Sequence, residues 1–380
     1  MKKPLIEKRL AEKLIRAHGS PLYIYRKSIL ERRYRGLIAA ITYPHKKIFF
    51  ACKANSNAEL LRHLKRIGSG VECTSRGEVV AALSAGFTPD CISYTCSNIT
   101  ESELMFVARK GITVHLDSLR QLEWWGKARP AAQISLRING NFGAGANNHL
   151  ITGGPGSKFG IYYADIPEAL RIIKKYRLIV RGIHQHVGSS ILDTETFVEA
   201  LECILDSAKY FPDLEFVDIG GGIGIPYHPS EKPLAVQAFG KHVSNVFTKF
   251  CRSYGKNLEL WLEPGRYLVA EAGALLVQVT DIKRTTAHVF VGVDSGFNHL
   301  IRPVMYGAYH HVFDLSRPLA KKHIVTVVGN VCETDTFAEQ REMPLPQVGD
   351  LLLIADAGAY GYSMSSNYHL RKKPKEVVLP

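Results

Sequence analysis

No stretch of the 380 residues approaches the ~20 uninterrupted apolar positions that a membrane-spanning helix needs. The basic N-terminus, MKKPLIEKRLAEKLIRAHGS, lacks the apolar segment of a signal peptide and reads as a short amphipathic helix. Cysteine is sparse, odd in number at seven, and without CxxC spacing, which excludes a disulfide scaffold and fits a reduced compartment. Acidic residues are the minority, 35 against 48 basic, for a net charge of +13. The positive charge is scattered and no nucleic-acid motif accompanies it, so it fits anionic small ligands and no nucleic-acid partner. Only residues 371–375 form a basic run, expected to be a solvated end. The remaining composition, 46% hydrophobic and 22% charged, is that of a globular chain with a sizeable core. The expectation is a soluble, cytoplasmic protein.

What is present is a recurrence of short β-type runs ending in polar or glycine-rich residues. They cover 48–53, 70–75, 91–96, 113–117, 133–138, 180–187, 216–222 and 259–263, with helical patterns such as ELLRHLKRI and RGEVVAALSA between them. The first five runs end roughly every 21 residues. Eight consecutive βα units are what a (β/α)8 TIM-type barrel requires, a better fit than a doubly wound sheet. The glycine- and asparagine-rich segment 140–160 interrupts the repeat and is expected to be a functional loop. After about residue 270 the runs 274–284, 288–293, 323–329 and 350–355 lose helical periodicity, so a C-terminal all-β domain follows. The expected division is 1–28 as an N-terminal helix and strand, the strand available to the β domain, then 29–270 as the barrel and 271–380 as the β domain.

In a barrel the chemistry sits at the C-terminal ends of the strands. The first ends with Cys52-Lys53-Ala54-Asn55 after an apolar run. Lys53 reads either as a rim lysine reaching water or as a Schiff-base lysine with an amine activated by desolvation. The sixth holds His184 and His186, two imidazoles on one strand face. Asp117 and Asp218 could join them around a metal, but no converging set is evident. The seventh ends with Gly220-Gly221-Gly222, whose bare backbone N–H groups can approach an anion. The eighth ends with Glu263-Pro264-Gly265-Arg266. Two anion-binding elements on adjacent final strands mark the usual phosphate site of barrels, and point to a phosphorylated ligand or cofactor.

Lys53, His186, the glycine run and Glu263–Arg266 together resemble the alanine-racemase-like (fold type III) pyridoxal-phosphate enzymes. Residues 293–307 (VDSGFNHLIRPVMYG), 332–335 (CETD) and 358–368 (GAYGYSMSSNY) narrow the likeness to the diaminopimelate decarboxylase family. The resemblance runs in order from about residue 23 to 378. It departs at Asn330, Thr334 and His369-Leu370, where the family more often has proline, serine and Asn-Ser.

The resemblance implies pyridoxal 5'-phosphate as cofactor and decarboxylation of meso-2,6-diaminopimelate to L-lysine. It implies that Lys53 carries the cofactor and that His186 stacks on its ring. Ser189, Gly222, Gly265, Arg266 and Tyr360 would surround the phosphate, and Glu263 would face the ring nitrogen. Arg266, Arg302, Tyr306 and Tyr360 would hold the substrate, its distal carboxylate above all, with Glu333 on the distal ammonium and Cys332 as proton donor. Cys332 and Glu333 serve the partner's site in this family, so a homodimer is implied. The competing expectations are a related decarboxylase acting on carboxynorspermidine, a D-diamino acid or a siderophore or carrier-bound intermediate, a non-catalytic cofactor-binding protein, and a metal-dependent barrel hydrolase.

Overall fold

The computed structural model describes residues 3–145, 151–333 and 335–380. The chain divides into two compact units, one of residues 33–224 and 233–265, the other of 1–32, 225–232 and 266–380.

The first unit is the expected barrel. Its strands are Lys46–Ala51, Gly70–Cys73, Ile92–Thr95, Thr113–Leu116, Gln133–Asn139, Ile179–His184, Phe216–Asp218 and Glu259–Leu262. Each pairs in parallel with the next. The eighth closes on the first, Leu260 opposite Lys46 and Leu262 opposite Ile48. Strands buried on both faces read as apolar runs rather than alternations, as in Ile48-Phe49-Phe50-Ala51, all buried. One end of the interior is filled by the rings of Phe49, Phe216 and Trp261, with Trp261 at 4.7 Å from Phe49 and 3.7 Å from Phe216.

The turns into the helices are specified locally. Ser75, Thr100 and Ser118 each accept the amide of the residue three positions on, Glu78, Glu103 and Gln121. That is the Ser/Thr-x-x-Glu/Gln spacing of a helix start. Asn57 and Asp193 cap two further helices the same way. Seven of the eight strands stop one to four residues earlier than the sequence suggests, two of them beside candidate site residues. Residues 52–54 are a 3-10 turn, placing Lys53 just past its strand. The seventh strand stops at Asp218, because Gly220 and Gly222 take φ values of +70° and +110°.

The second unit is a mixed sheet organised around the long strand Gly273–Arg284. That strand pairs antiparallel with Leu22–Arg26, Leu351–Ile354 and Val289–Val293, so the early strand does join the β domain. The N-terminal helix Lys8–His18 buries Ala11 and Leu14 against Leu22, Ile24, Leu276 and Leu353. Three strands escaped the sequence reading: Val312–Asp314, Thr336–Pro344 and Lys375–Leu379. Thr336–Pro344 (TFAEQREMP) is charged and only partly buried. Lys375–Leu379 follows the basic run and pairs in parallel with Leu22–Arg26, so the run is not simply a solvated end. Among the described residues no helix is long and apolar enough to cross a membrane.

The caps carry a measurable share of barrel stability. Ser118→Ala is expected to cost about 1 kcal/mol, read as a lower denaturation midpoint at unchanged m-value; an unchanged midpoint would contradict it.

Candidate active site

Parallel closure sends side chains from every strand end of the barrel toward one mouth. Lys53 Nζ lies 2.5 Å from Glu72 Oε2, at the end of the second strand; the amine is partly exposed and the carboxyl buried. Burial pushes the Glu72 carboxyl up to about 7, against the pull of the Lys53 charge. From the fifth strand Arg137 donates through Nη1 to Asp117 Oδ1 at 3.3 Å, and its guanidinium lies 4.7 Å over the Phe159 ring. Burial lowers the Arg137 pKa, while Asp117, Glu263 and Glu72 oppose that fall.

Glu263, just past the eighth strand, is held at both oxygens. Oε2 is 3.0 Å from His184 Nε2, and Oε1 accepts from Ser93 Oγ at 3.3 Å. His184 stacks on His115 at 4.5 Å, and His115 Nδ1 is 2.7 Å from Ser135 Oγ. Burial pushes both imidazoles well below the usual histidine range, which keeps them neutral. His186 takes a different part: its Nδ1 accepts the Gly221 N–H at 3.3 Å. Burial and the Lys53 charge push its pKa down as well. The two histidines of the His-x-His pair therefore engage separate partners rather than a common metal. His115, Asp218 and Glu263 do bring ligand atoms within 4.8 Å of one another, but Glu263 is engaged by His184 and Ser93, and burial pushes Asp218 up toward its neutral acid.

The glycine run packs too closely against the neighbouring backbone to admit side chains. A Cβ on Gly221 would sit 2.3 Å from the Glu263 carbonyl oxygen, and one on Gly222 2.8 Å from that of Gly188. Gly265 would meet Ala54 at 2.9 Å, and Ser189 is half-buried in the loop after the sixth strand. The insertion is tied to that same loop. Ala144 and Thr152 donate backbone N–H groups to the Val187 carbonyl, and Thr152 Oγ1 donates to that of His186. Residues 146–150 of it lie outside the described residues.

The second unit gathers a separate cluster. Arg266 opens the short helix Arg266–Val269, donates through Nη1 to the Tyr227 hydroxyl at 3.1 Å, and lies 4.9 Å over the Tyr360 ring. Arg302, 4% exposed, opens the helix Arg302–Tyr306 and shares a 2.8 Å hydrogen bond with His310 Nε2. Its guanidinium lies 4.3 Å over the Tyr227 ring, and Tyr306 closes the same helix half-buried. Cys332 and Glu333 are exposed, Glu333 accepting from the Tyr368 hydroxyl. Among the described residues neither makes a hydrogen bond or ion pair with Arg302.

The pyridoxal-dependent decarboxylase family, through its pyridoxal binding domain, matches residues 28–270. A diaminopimelate decarboxylase of Methanothermobacter thermautotrophicus is 42% identical over 97% of this chain and 89% of its own. That of Escherichia coli K12 is 35% identical over 97% and 91%. The chain belongs to the diaminopimelate decarboxylase family. A crystal structure of the Helicobacter pylori diaminopimelate decarboxylase complexed with L-lysine superposes with a TM-score of 0.90 at 32% identity, covering 97% of this chain and 94% of that one. A lysine/ornithine decarboxylase of Vibrio vulnificus, at 20% identity and a TM-score of 0.85 over 98% and 97%, shares the fold.

The family's cofactor, pyridoxal phosphate, fits the residues present. The barrel unit offers a partly exposed amine, a carboxyl fixed at both oxygens, and a run of glycines without side chains. Several contributors escaped the sequence reading: Glu72, Arg137, Ser93 and His115 in the barrel, Tyr227 and His310 in the second unit. Glu72 left a usable signal, an acid within the apolar strand Gly70–Cys73, where an uncompensated charge would be costly.

The Glu72 shift fixes the sign of a pH effect. In the unfolded chain this carboxyl ionises near its ordinary 4.5, whereas the folded protein resists ionisation until about 7. Wild-type stability therefore falls across that window as pH rises, by an amount a non-ionising side chain does not lose. In protein freed of cofactor, the unfolding free energy of Glu72→Gln relative to wild type is expected to rise from about pH 4.5 to about pH 8. Urea denaturation at fixed ionic strength measures it, and a constant difference would contradict the shift.

Proposed function

We propose that the protein decarboxylates meso-2,6-diaminopimelate to L-lysine and CO2 with pyridoxal phosphate. The reaction type rests on family membership and on Lys53 in the barrel. The observation that carries the substrate is Arg302. A guanidinium has five N–H donors, and Nη1 of Arg302 donates to His310 Nε2. Among the described residues no carboxylate pairs with it. A buried guanidinium set over the Tyr227 ring and against a neutral imidazole, with the Asp356 charge near enough to support it, suits an incoming carboxylate, which an arginine fork grips in bidentate fashion. Diamine-type substrates without a distal carboxylate would leave that charge uncompensated at considerable cost.

Bound to the protein, the cofactor supplies the electron sink that accepts the pair left when the reacting carboxylate departs. Lys53 would hold the cofactor through its side-chain amine. Glu72 beside it holds or releases a proton near neutrality. Glu263, held by His184 and Ser93, would serve the ring nitrogen; His186 would stack on the ring; Ser189, Gly222, Gly265, Arg266 and Tyr360 would hold the phosphate. Arg302, assisted by Arg266, Tyr306 and Tyr360, retains the distal carboxylate, which survives as the carboxylate of lysine. Cys332 returns a proton to Cα, and Glu333 receives the distal ammonium. Both are exposed within one chain, in keeping with service to a partner's site in a cytoplasmic homodimer.

Lys53→Ala is expected to abolish lysine release and the visible absorbance of lysine-bound cofactor together; retained turnover would refute the assignment. Arg302→Ala is expected to raise KM for diaminopimelate by about 10–100-fold, with kcat less affected. An unchanged KM would move the carboxylate site elsewhere.

A further inference from the structure

Arg302 is braced by side chains that the reaction described above does not employ. His310 is 1% exposed, and both its ring nitrogens are engaged. Nδ1 lies 2.8 Å from the Ala355 carbonyl oxygen and Nε2 lies 2.8 Å from Arg302 Nη1. A carbonyl oxygen only accepts and a guanidinium only donates. Nδ1 therefore carries the proton and Nε2 presents a lone pair, which makes His310 a neutral imidazole in one tautomer. Tyr227 forms the floor: its ring lies 4.3 Å below the Arg302 guanidinium and meets the His310 ring edge-on, at 5.5 Å and 68°. The Tyr227 hydroxyl is itself held by Arg266 at 3.1 Å.

The chemistry of this position is restrictive. An aspartate or glutamate in place of His310 would pair with Arg302 and spend the charge that a ligand carboxylate needs. A lysine would repel it. An aliphatic residue would leave a long, rotatable side chain unbraced, and ligand binding would then bear its ordering cost. A neutral acceptor fixed from behind by the main chain leaves the charge whole and the fork in one place.

We propose that His310, with Tyr227 as its platform, is a positioning residue that sets specificity for a substrate carrying a carboxylate at its far end. It acts through Arg302 and not on the reacting atoms. The proposal rests on the function assigned above, and it separates ligands by one group. Diaminopimelate and L-lysine both present the far carboxylate, whereas cadaverine, the same five-carbon diamine skeleton, has none.

The test uses cofactor-loaded enzyme and the variants His310→Leu, which removes the acceptor, and His310→Gln, whose side-chain oxygen replaces it. In His310→Leu, KM for diaminopimelate is expected to rise about 10–100-fold with kcat within about threefold. The affinity for L-lysine, titrated through the cofactor absorbance, is expected to weaken in parallel, while that for cadaverine stays within about twofold. His310→Gln is expected to restore KM and lysine affinity to within about fivefold of wild type. Should His310→Leu fail to fold, Tyr227→Leu, which removes the floor, is expected to give the same carboxylate-selective loss. Unchanged diaminopimelate and lysine affinities in the variant that folds, or an equal loss for cadaverine, would overturn the positioning role. A wild type that releases no lysine from diaminopimelate would overturn the functional reading itself, and with it the ligand class named here.

Discussion

The hydrogen bonds that close the eighth barrel strand on the first are what the catalytic chemistry depends on. Lys53 and Glu263 are 210 positions apart in the chain, yet they end neighbouring strands because Leu260 lies opposite Lys46 and the Ala51 N–H donates to the Pro264 carbonyl at 3.2 Å. Once the sheet is closed and parallel, every strand delivers its last inward residue to the same mouth. An amine, an acid for it, an arginine–aspartate pair, two stacked imidazoles and a second fixed carboxyl then share one enclosed volume without any loop having to seek them out.

Gathering so much charge in a buried place has a cost, and the barrel meets it by pairing and by neutralising. Lys53 lies against Glu72 and Arg137 against Asp117. His115 and His184 are kept neutral by burial, so they hold Glu263 in place without adding positive charge. Glu263, bonded at both oxygens, has little freedom to turn, which suits the role proposed for it.

The second unit solves the opposite problem. Its two buried guanidiniums lie against tyrosine rings, and that of Arg302 also against a neutral histidine. Aromatic faces attract a cation without neutralising it, and an imidazole lone pair orients it without adding charge. The charge of Arg302 therefore remains available for a ligand, and its orientation is settled before the ligand arrives.

Much of this was legible in the chain itself. Local chemistry recurs at each unit: Ser75, Thr100 and Ser118 announce helix starts by spacing alone, and uninterrupted apolar runs announce strands buried on both faces. Lys53, the Gly220–Gly222 run and Glu263–Arg266 stood out because each breaks the pattern of its strand end, and position along a barrel strand already says where such residues lie. The partners did not stand out. Glu72, Ser93 and His115 become meaningful only when closure sets them beside Lys53 and Glu263, and Tyr227 and His310 only when the segments that carry them pack onto Arg302. The strand Lys375–Leu379 was hidden for the same reason: its pairing with Leu22–Arg26 joins the two ends of the chain, a contact that no local pattern encodes. Sequence alone determined the eight barrel units and the candidate groups at their ends, because propensity and burial patterns act over a few residues. Tertiary structure decided which groups are paired or neutral, because those states depend on neighbours that other elements of the fold supply.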